Sequence, residues 1–179
     1  MKKLSNFKSQ AGQDLFALSK NDYKVGGTFL EIGAYDSESI SNTYVLEVEY
    51  GWTGLAIEII PERAKQYISK RSSPCIVADA TKLDYKKLLM GHELPQTIDY
   101  LSLDIEPATQ TLEALEKILE SGYEFKTITF EHDLYVSKDN LIIKNKQKEI
   151  LLDKGYVLYK ENVCSQNNPR FPFEDWWVK

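Results

Sequence analysis

The chain has 179 residues, of which 42% are hydrophobic, and a net charge of −5 from 22 basic and 27 acidic side chains. This length and apolar content suit one globular domain, residues 1–179, with a sizeable core. The acidic balance and the lack of any run of five basic residues argue against broad electrostatic binding to nucleic acid.

Strand-like and helix-like patterns alternate along the chain. Apolar residues at helical spacing predict helices over residues 6–20, 39–50, 61–71, 81–90, 107–121 and 138–154. Short apolar runs predict strands over residues 28–32, 53–58, 75–78, 98–105, 125–130, 156–160 and 176–178. Residues 161–173 have no periodicity and contain two prolines, so we expect a loop there. The alternation predicts an α/β fold with a mostly parallel sheet and helices on both faces.

A glycine turn follows the first predicted strand, where residues 29–34 read Phe-Leu-Glu-Ile-Gly-Ala. Gly33 has no Cβ, so the backbone can come close to a ligand at the carboxyl end of the strand. The second predicted strand ends in Glu58, whose carboxylate can accept hydrogen bonds from both hydroxyls of a ribose. Together they predict the first half of a Rossmann-like cofactor site.

Acidic side chains end five of the predicted strands. They are Glu31, Glu58, Asp79, Asp104 with Glu106, and Glu131. Because the carboxyl ends of parallel strands meet at one edge of a sheet, we expect a functional site there. One glycine stands where the dinucleotide fingerprint has three, and Asp36 would repel a pyrophosphate. These features favour a cofactor without phosphates over NAD.

The order and spacing of these segments resemble the FkbM-type class I methyltransferases, which use S-adenosylmethionine. The resemblance covers nearly the whole chain and rests on residues 9–14, 29–36, 41–43, 51–55, 57–58 with 61, 99–106 and 131–132. It implies a single Rossmann-like domain with a seven-stranded sheet whose final strand is antiparallel.

The resemblance also implies a set of cofactor-binding residues. They are Gln13, Asp14, Glu31, Gly33, Ala34, Tyr35, Asn42, Glu58, Asp79, Ala80 and Asp104. In this set Glu58 would contact the ribose, and Asp79 with Ala80 the adenine. Gln10, Gln13 and Asp14 would close over the cofactor, although capping and packing of the first helix explain Gln10 equally well.

Two residues depart from the family pattern, because Ser37 and Pro107 stand where glycines are usual. Ser37 is a mild change in a loop that tolerates small residues. Pro107 fixes φ and removes a backbone donor directly after Glu106. The change at Pro107 therefore affects the acceptor side of the site more than the cofactor side.

Methyl transfer to a hydroxyl requires a base, because the hydroxyl must lose its proton as its oxygen attacks the sulfonium carbon. His132 is the best base by intrinsic pKa, and Asp104 or Glu106 could act directly. Hydrogen bonding at a strand end is the alternative role for His132. The acids near residues 104–106 and 131–133 could also hold a divalent cation, but no ligand spacing supports one. We therefore predict no metal site.

The function predicted from the sequence is S-adenosylmethionine-dependent O-methylation of a glycan or small-molecule acceptor. A non-catalytic cofactor-binding module, suggested by Pro107, and a Rossmann oxidoreductase are the alternatives. No signal-peptide pattern, no apolar window of 18 residues and only two isolated cysteines are present. These features predict a cytoplasmic protein without membrane partners, and they leave the oligomeric state open.

Overall fold

The computed structural model describes residues 7–179. Its helices are α1 (Gln13–Lys20), α2 (Tyr44–Tyr50), α3 (Pro61–Lys70), α4 (Tyr85–Gly91), α5 (Ala108–Glu120) and α6 (Asn140–Asp153). Its strands are β1 (Thr28–Ile32), β2 (Thr53–Glu58), β3 (Cys75–Val77), β4 (Thr97–Leu103), β5 (Glu124–Glu131), β6 (Val157–Ser165) and β7 (Asn168–Val178). None of the described helices is long and apolar enough to cross a membrane.

The strands form one seven-stranded sheet in the order β3-β2-β1-β4-β5-β7-β6. Strands β1 to β5 pair in parallel, whereas β7 is antiparallel to both of its neighbours, β5 and β6. This topology confirms the predicted α/β fold with a mostly parallel sheet and an antiparallel final strand.

Helices cover both faces of the sheet because successive residues of the central strands point to opposite sides. Leu30 and Leu101 face the layer formed by α4, α5 and α6, where they pack in the largest apolar cluster. Phe29 and Tyr100 face the other layer and pack with residues of α1 and α2. The middles of the central strands are therefore largely apolar on both sides, and their charged residues, such as Glu31, Asp99 and Glu131, lie towards the strand ends.

Two predicted helices begin later than expected. The helix predicted from residue 6, which lies outside the described residues, starts at Gln13, because Gly12 adopts a left-handed φ of 94°. The helix predicted from residue 39 starts at Tyr44, because the Ser41 hydroxyl accepts the Tyr44 N–H at 3.1 Å. Residues 37–43 therefore remain an irregular segment.

The helix predicted over residues 81–90 is divided. A short 3₁₀ turn, Ala80–Lys82, precedes α4, and Asp84 caps α4 by accepting the Lys87 N–H. Pro107 was expected to open α5 as its first residue but forms the N-cap in extended conformation, after a cis Glu106–Pro107 bond.

The prediction of a loop over residues 161–173 is wrong, because β6 and β7 form a hairpin there. Its proline-containing part, residues 168–173, pairs with β6, whereas β7 pairs with β5 from Glu174 onward. A strand without a neighbour on one side can include proline, because on that side the missing N–H of proline removes no hydrogen bond between strands. The hairpin register also shifts at several positions, which removes the regular alternation by which strands are recognised.

Candidate functional site

A cavity of about 530 Å³ opens at the carboxyl ends of the central strands. It lies where the chain switches from the β1–β2–β3 half of the sheet to the β4–β5 half, the usual position of a ligand in open α/β sheets. Ten of the predicted site residues line it, namely Glu31, Gly33, Ala34, Tyr35, Asn42, Glu58, Asp79, Ala80, Asp104 and Glu106.

Gly33 allows two strand ends to approach each other. Its φ is +86°, and a Cβ at this position would lie 1.9 Å from the carbonyl oxygen of Asp104. From the sequence, we expected a ligand to occupy the space beside the Gly33 Cα, but the backbone after β4 occupies it. Gly33 therefore brings the β1 turn and Asp104 together at the cavity wall.

Glu58 is held rigidly at the end of β2. Its Oε2 accepts the Tyr35 N–H at 2.9 Å, and its Oε1 accepts the Ile60 N–H at 2.8 Å. Each carboxylate oxygen has a further lone pair, so both can also accept a hydrogen bond from a ligand. The carboxylate thus presents two fixed acceptors to the cavity.

The wall beyond β2 and β3 combines polar caps with flat side chains. Asp79 accepts the N–H and the hydroxyl of Thr81, at 2.9 and 2.7 Å, and these bonds lower the pKa of its carboxyl. Tyr35 stacks with the Arg63 guanidinium, 4.0 Å from the ring centroid. Both side chains line the cavity, and Ile59 and Ile60 make that part of the wall apolar.

Asn42 contributes a buried acceptor to the cavity wall. Its side chain is 6% exposed, and its Nδ2 donates to the Ser102 hydroxyl at 3.0 Å. Its Oδ1 has no hydrogen-bond partner among the described residues. A buried, unpaired carbonyl oxygen costs free energy unless a donor reaches it, so Asn42 is suited to bind a ligand N–H or O–H.

Carboxyl groups dominate the opposite wall. Burial raises the pKa of both Asp104 and Glu131, and their proximity raises that of Glu131 further. A hydrogen bond with Glu131 opposes the rise at Asp104. Two adjacent buried carboxyl groups do not readily carry two negative charges, so the pKa of both lies above its ordinary value. Both carboxyl groups line the cavity, where they can accept a proton or a hydrogen bond from a ligand.

Three predicted site residues do not line the cavity. His132 is fully buried, with its Nε2 3.4 Å from Asp175 and its Nδ1 accepting the Leu134 N–H. Gln13 accepts the Ala11 N–H at 2.8 Å, and Asp14 accepts the Lys8 N–H at 2.8 Å. Gln13 and Asp14 shape the segment before α1, which brings Gln10 to the cavity.

Sequence reasoning did not identify Arg63, Gln110 and Tyr135, which also line the cavity. Arg63 and Gln110 lie within one turn of the starts of α3 and α5, and both helices follow acid-ended strands. Their position could have identified them as cavity residues, since helices that follow such strands begin at the edge of the sheet where the strands end. Within residues 7–179, no three potential ligands are arranged to hold a metal ion.

The stability of the protein is expected to fall as the pH rises through neutrality. Burial raises the pKa of Glu31 to about 7 and that of Glu174 to about 8, from ordinary values of 4.5. At pH values between the ordinary and the raised pKa of each group, the folded chain binds more protons than the unfolded chain. The free energy of unfolding therefore declines as the pH rises, by at most about 1.4 kcal/mol per pH unit per group. Urea unfolding of the wild type and Glu174→Gln across this range tests the prediction. Equal slopes for the two proteins would contradict it.

The architecture is shared with methyltransferases of known structure. An O-methyltransferase from Bacillus cereus in complex with SAH is 14% identical, with a TM-score of 0.65 over 98% of this chain and 84% of that one. Fibrillarin from Aeropyrum pernix with natively bound S-adenosyl-L-methionine is 16% identical, with a TM-score of 0.56 over 92% and 74%. The N-methyltransferase NodS from Bradyrhizobium japonicum is 10% identical, with a TM-score of 0.57 over 93% and 94%.

At these identities the likeness shows the class I methyltransferase fold. No protein-family model and no curated protein sequence matches the chain. The resemblance to the FkbM-type subfamily therefore stays a prediction.

Proposed function

We propose that this chain is an S-adenosylmethionine-dependent methyltransferase that methylates a hydroxyl of a glycan or small metabolite. The observation that carries the proposal is the Glu58 carboxylate, fixed by two backbone N–H groups beside a cavity at the switch point of the sheet. Two proteins of the same fold are known with SAH or S-adenosyl-L-methionine bound, which supports this choice of cofactor.

The lining fits such a cofactor group by group. Glu58 offers two acceptors to the ribose hydroxyls, and the unpaired Asn42 Oδ1 offers one to the methionine ammonium. Ile59 and Ile60 give the adenine an apolar surface beside Asp79. When bound, the cofactor supplies a methyl group on a sulfonium.

Asp104 is the base in this proposal. It lines the cavity beside Glu131, and burial raises the pKa of its carboxyl group, which suits that group to accept the proton of an acceptor hydroxyl as the oxygen attacks. Glu106 and Gln110, on the same side, would orient the acceptor. Arg63 is the only Lys or Arg among the described residues that line the cavity, which favours a neutral acceptor over a polyanionic one.

Calorimetry with S-adenosylhomocysteine (SAH), S-adenosylmethionine and NAD tests the cofactor assignment. We expect SAH to bind and NAD not to bind. Glu58→Ala is expected to weaken SAH binding at least about tenfold, because charge-assisted hydrogen bonds are worth about 1.5–3 kcal/mol each.

The matched control is Asp84→Ala, which removes an acidic helix cap outside the cavity and should leave SAH affinity unchanged. Unchanged affinity in a folded Glu58→Ala protein would place the ribose elsewhere. Preferential binding of NAD would instead support the oxidoreductase alternative.

A further inference from the structure

We propose that Arg71, which does not line the cavity, is a positioning residue for the part of the cavity that binds the cofactor. Its guanidinium holds the segment 37–43 and, through Thr43, orients Glu31. This inference rests on the proposed function, because the property that Arg71 would set is affinity for the cofactor.

Arg71 is a buried charge at the end of α3. Its side chain is 0% exposed, and its Nη2 lies 2.7 Å from Glu47 of α2. Its Nε donates to the same carboxylate oxygen at 2.9 Å. The other oxygen of Glu47 accepts the Ser73 N–H at 3.0 Å, so the ion pair is fully hydrogen-bonded. A buried ion pair of this kind keeps its geometry, because breaking it would leave an uncompensated charge.

The remaining N–H groups of Arg71 reach the irregular segment 37–43. Nη1 donates to the Ser37 carbonyl at 3.2 Å and to the Ser41 hydroxyl at 3.4 Å, and Nη2 donates to the Thr43 hydroxyl at 3.0 Å. One side chain thus contacts the start, the middle and the end of the segment that carries Asn42 into the cavity wall. The rigid fork of five N–H donors suits this task, whereas the three donors of lysine do not.

Thr43 links Arg71 to Glu31 through two hydrogen bonds. Arginine only donates hydrogen bonds, so the Thr43 oxygen accepts from Nη2 and its own proton is free. That proton is donated to Glu31 Oε2 at 2.7 Å. Glu31 lines the cavity and is 2% exposed, and this contact fixes which way its carboxyl group turns. Arg71, Thr43 and Glu31 therefore form one directed chain of hydrogen bonds from α3 to the cavity.

Hydrogen exchange of the ligand-free protein tests the first link. In Arg71→Lys, the backbone amides of residues 38–43 are expected to exchange at least about tenfold faster, with those of β5 unchanged. Unchanged exchange in residues 38–43 would overturn the proposal. This measurement needs no cofactor, so its result is independent of the proposed function.

SAH calorimetry on Thr43→Val and Thr43→Ser tests the second link. Thr43→Val keeps the Arg71–Glu47 pair but removes the hydroxyl, and we expect about fivefold to tenfold weaker binding. Thr43→Ser retains the hydroxyl and should bind within about twofold of the wild type. As a control for general destabilisation, Asp99→Asn weakens the ion pairs of the buried Asp99 carboxylate with Lys24 and Lys126, towards the amino ends of the strands, and should leave affinity unchanged.

Equal affinity in Thr43→Val and the wild type, or equal losses in Thr43→Val and Thr43→Ser, would overturn the proposed relay. A wild type that binds no SAH would overturn the proposed function and, with it, the role of Arg71 in cofactor affinity. The exchange experiment would then still report whether Arg71 holds the segment.

Discussion

Asp104→Asn is expected to lower the rate of methyl transfer by about 10²–10⁴-fold, the usual contribution of general base catalysis. The substitution keeps the shape of the side chain and removes the carboxyl group that would accept the proton. The rate is measured as SAH formation at saturating S-adenosylmethionine, so that a change in cofactor affinity does not contribute. The acceptors are hydroxylated glycans and metabolites on which the wild type turns over.

Two variants assayed in parallel locate the base. His132→Ala should retain the wild-type rate wherever the protein is folded, because His132 lies outside the cavity lining. Glu106→Gln should lose less than Asp104→Asn, since Glu106 is exposed at the cavity whereas Asp104 is half-buried. A wild-type rate in Asp104→Asn would contradict our assignment. A loss of about 10²–10⁴-fold in His132→Ala alone would support the catalytic role predicted for His132 from the sequence.

Gly33→Val is expected to remove both SAH binding and much of the stability. A side chain at residue 33 would meet the Asp104 carbonyl oxygen, and the φ of +86° is strained for any residue with a Cβ. Strain and overpacking together should lower the free energy of unfolding by at least about 3 kcal/mol. Urea unfolding measures the loss, and calorimetry shows whether SAH still binds.

Gly91→Ala is the matched glycine control, because a Cβ at the end of α4 would meet no atom within 4 Å. Alanine there should leave stability close to the wild type and SAH affinity unchanged. If Gly33→Val were as stable as Gly91→Ala, the close approach between the β1 turn and Asp104 would not exist in solution.

The sheet and the positions of the acids were predictable because they depend on local patterns. Apolar runs and their acidic ends mark strands, and parallel strands bring those ends to one edge. Glu31, Glu58, Asp79, Asp104, Glu106 and Glu131 all line the cavity as a result. The direction of an individual side chain is harder to predict, as His132 shows. It directly follows Glu131, the last residue of β5, yet its side chain is buried beside Asp175 and does not line the cavity.

Other features depend on contacts between segments that are distant in sequence. Arg71 gives no signal by itself, because its partners lie in residues 37–47 and only the folded chain brings them together. The reason for Gly33 likewise became clear only from the neighbouring Asp104 backbone. The β6–β7 hairpin was missed because its prolines and shifted register remove the alternation of a regular strand.

The place of β7 in the sheet has a consequence for synthesis on the ribosome. β7 follows every other strand in sequence, yet it lies between β5 and β6. Until residue 178 has been made, the outer edge of β5 exposes unpaired backbone N–H and C=O groups, which can pair with another chain. A nascent chain with such an edge is prone to aggregate. Added chaperone during expression should therefore increase the yield of folded protein.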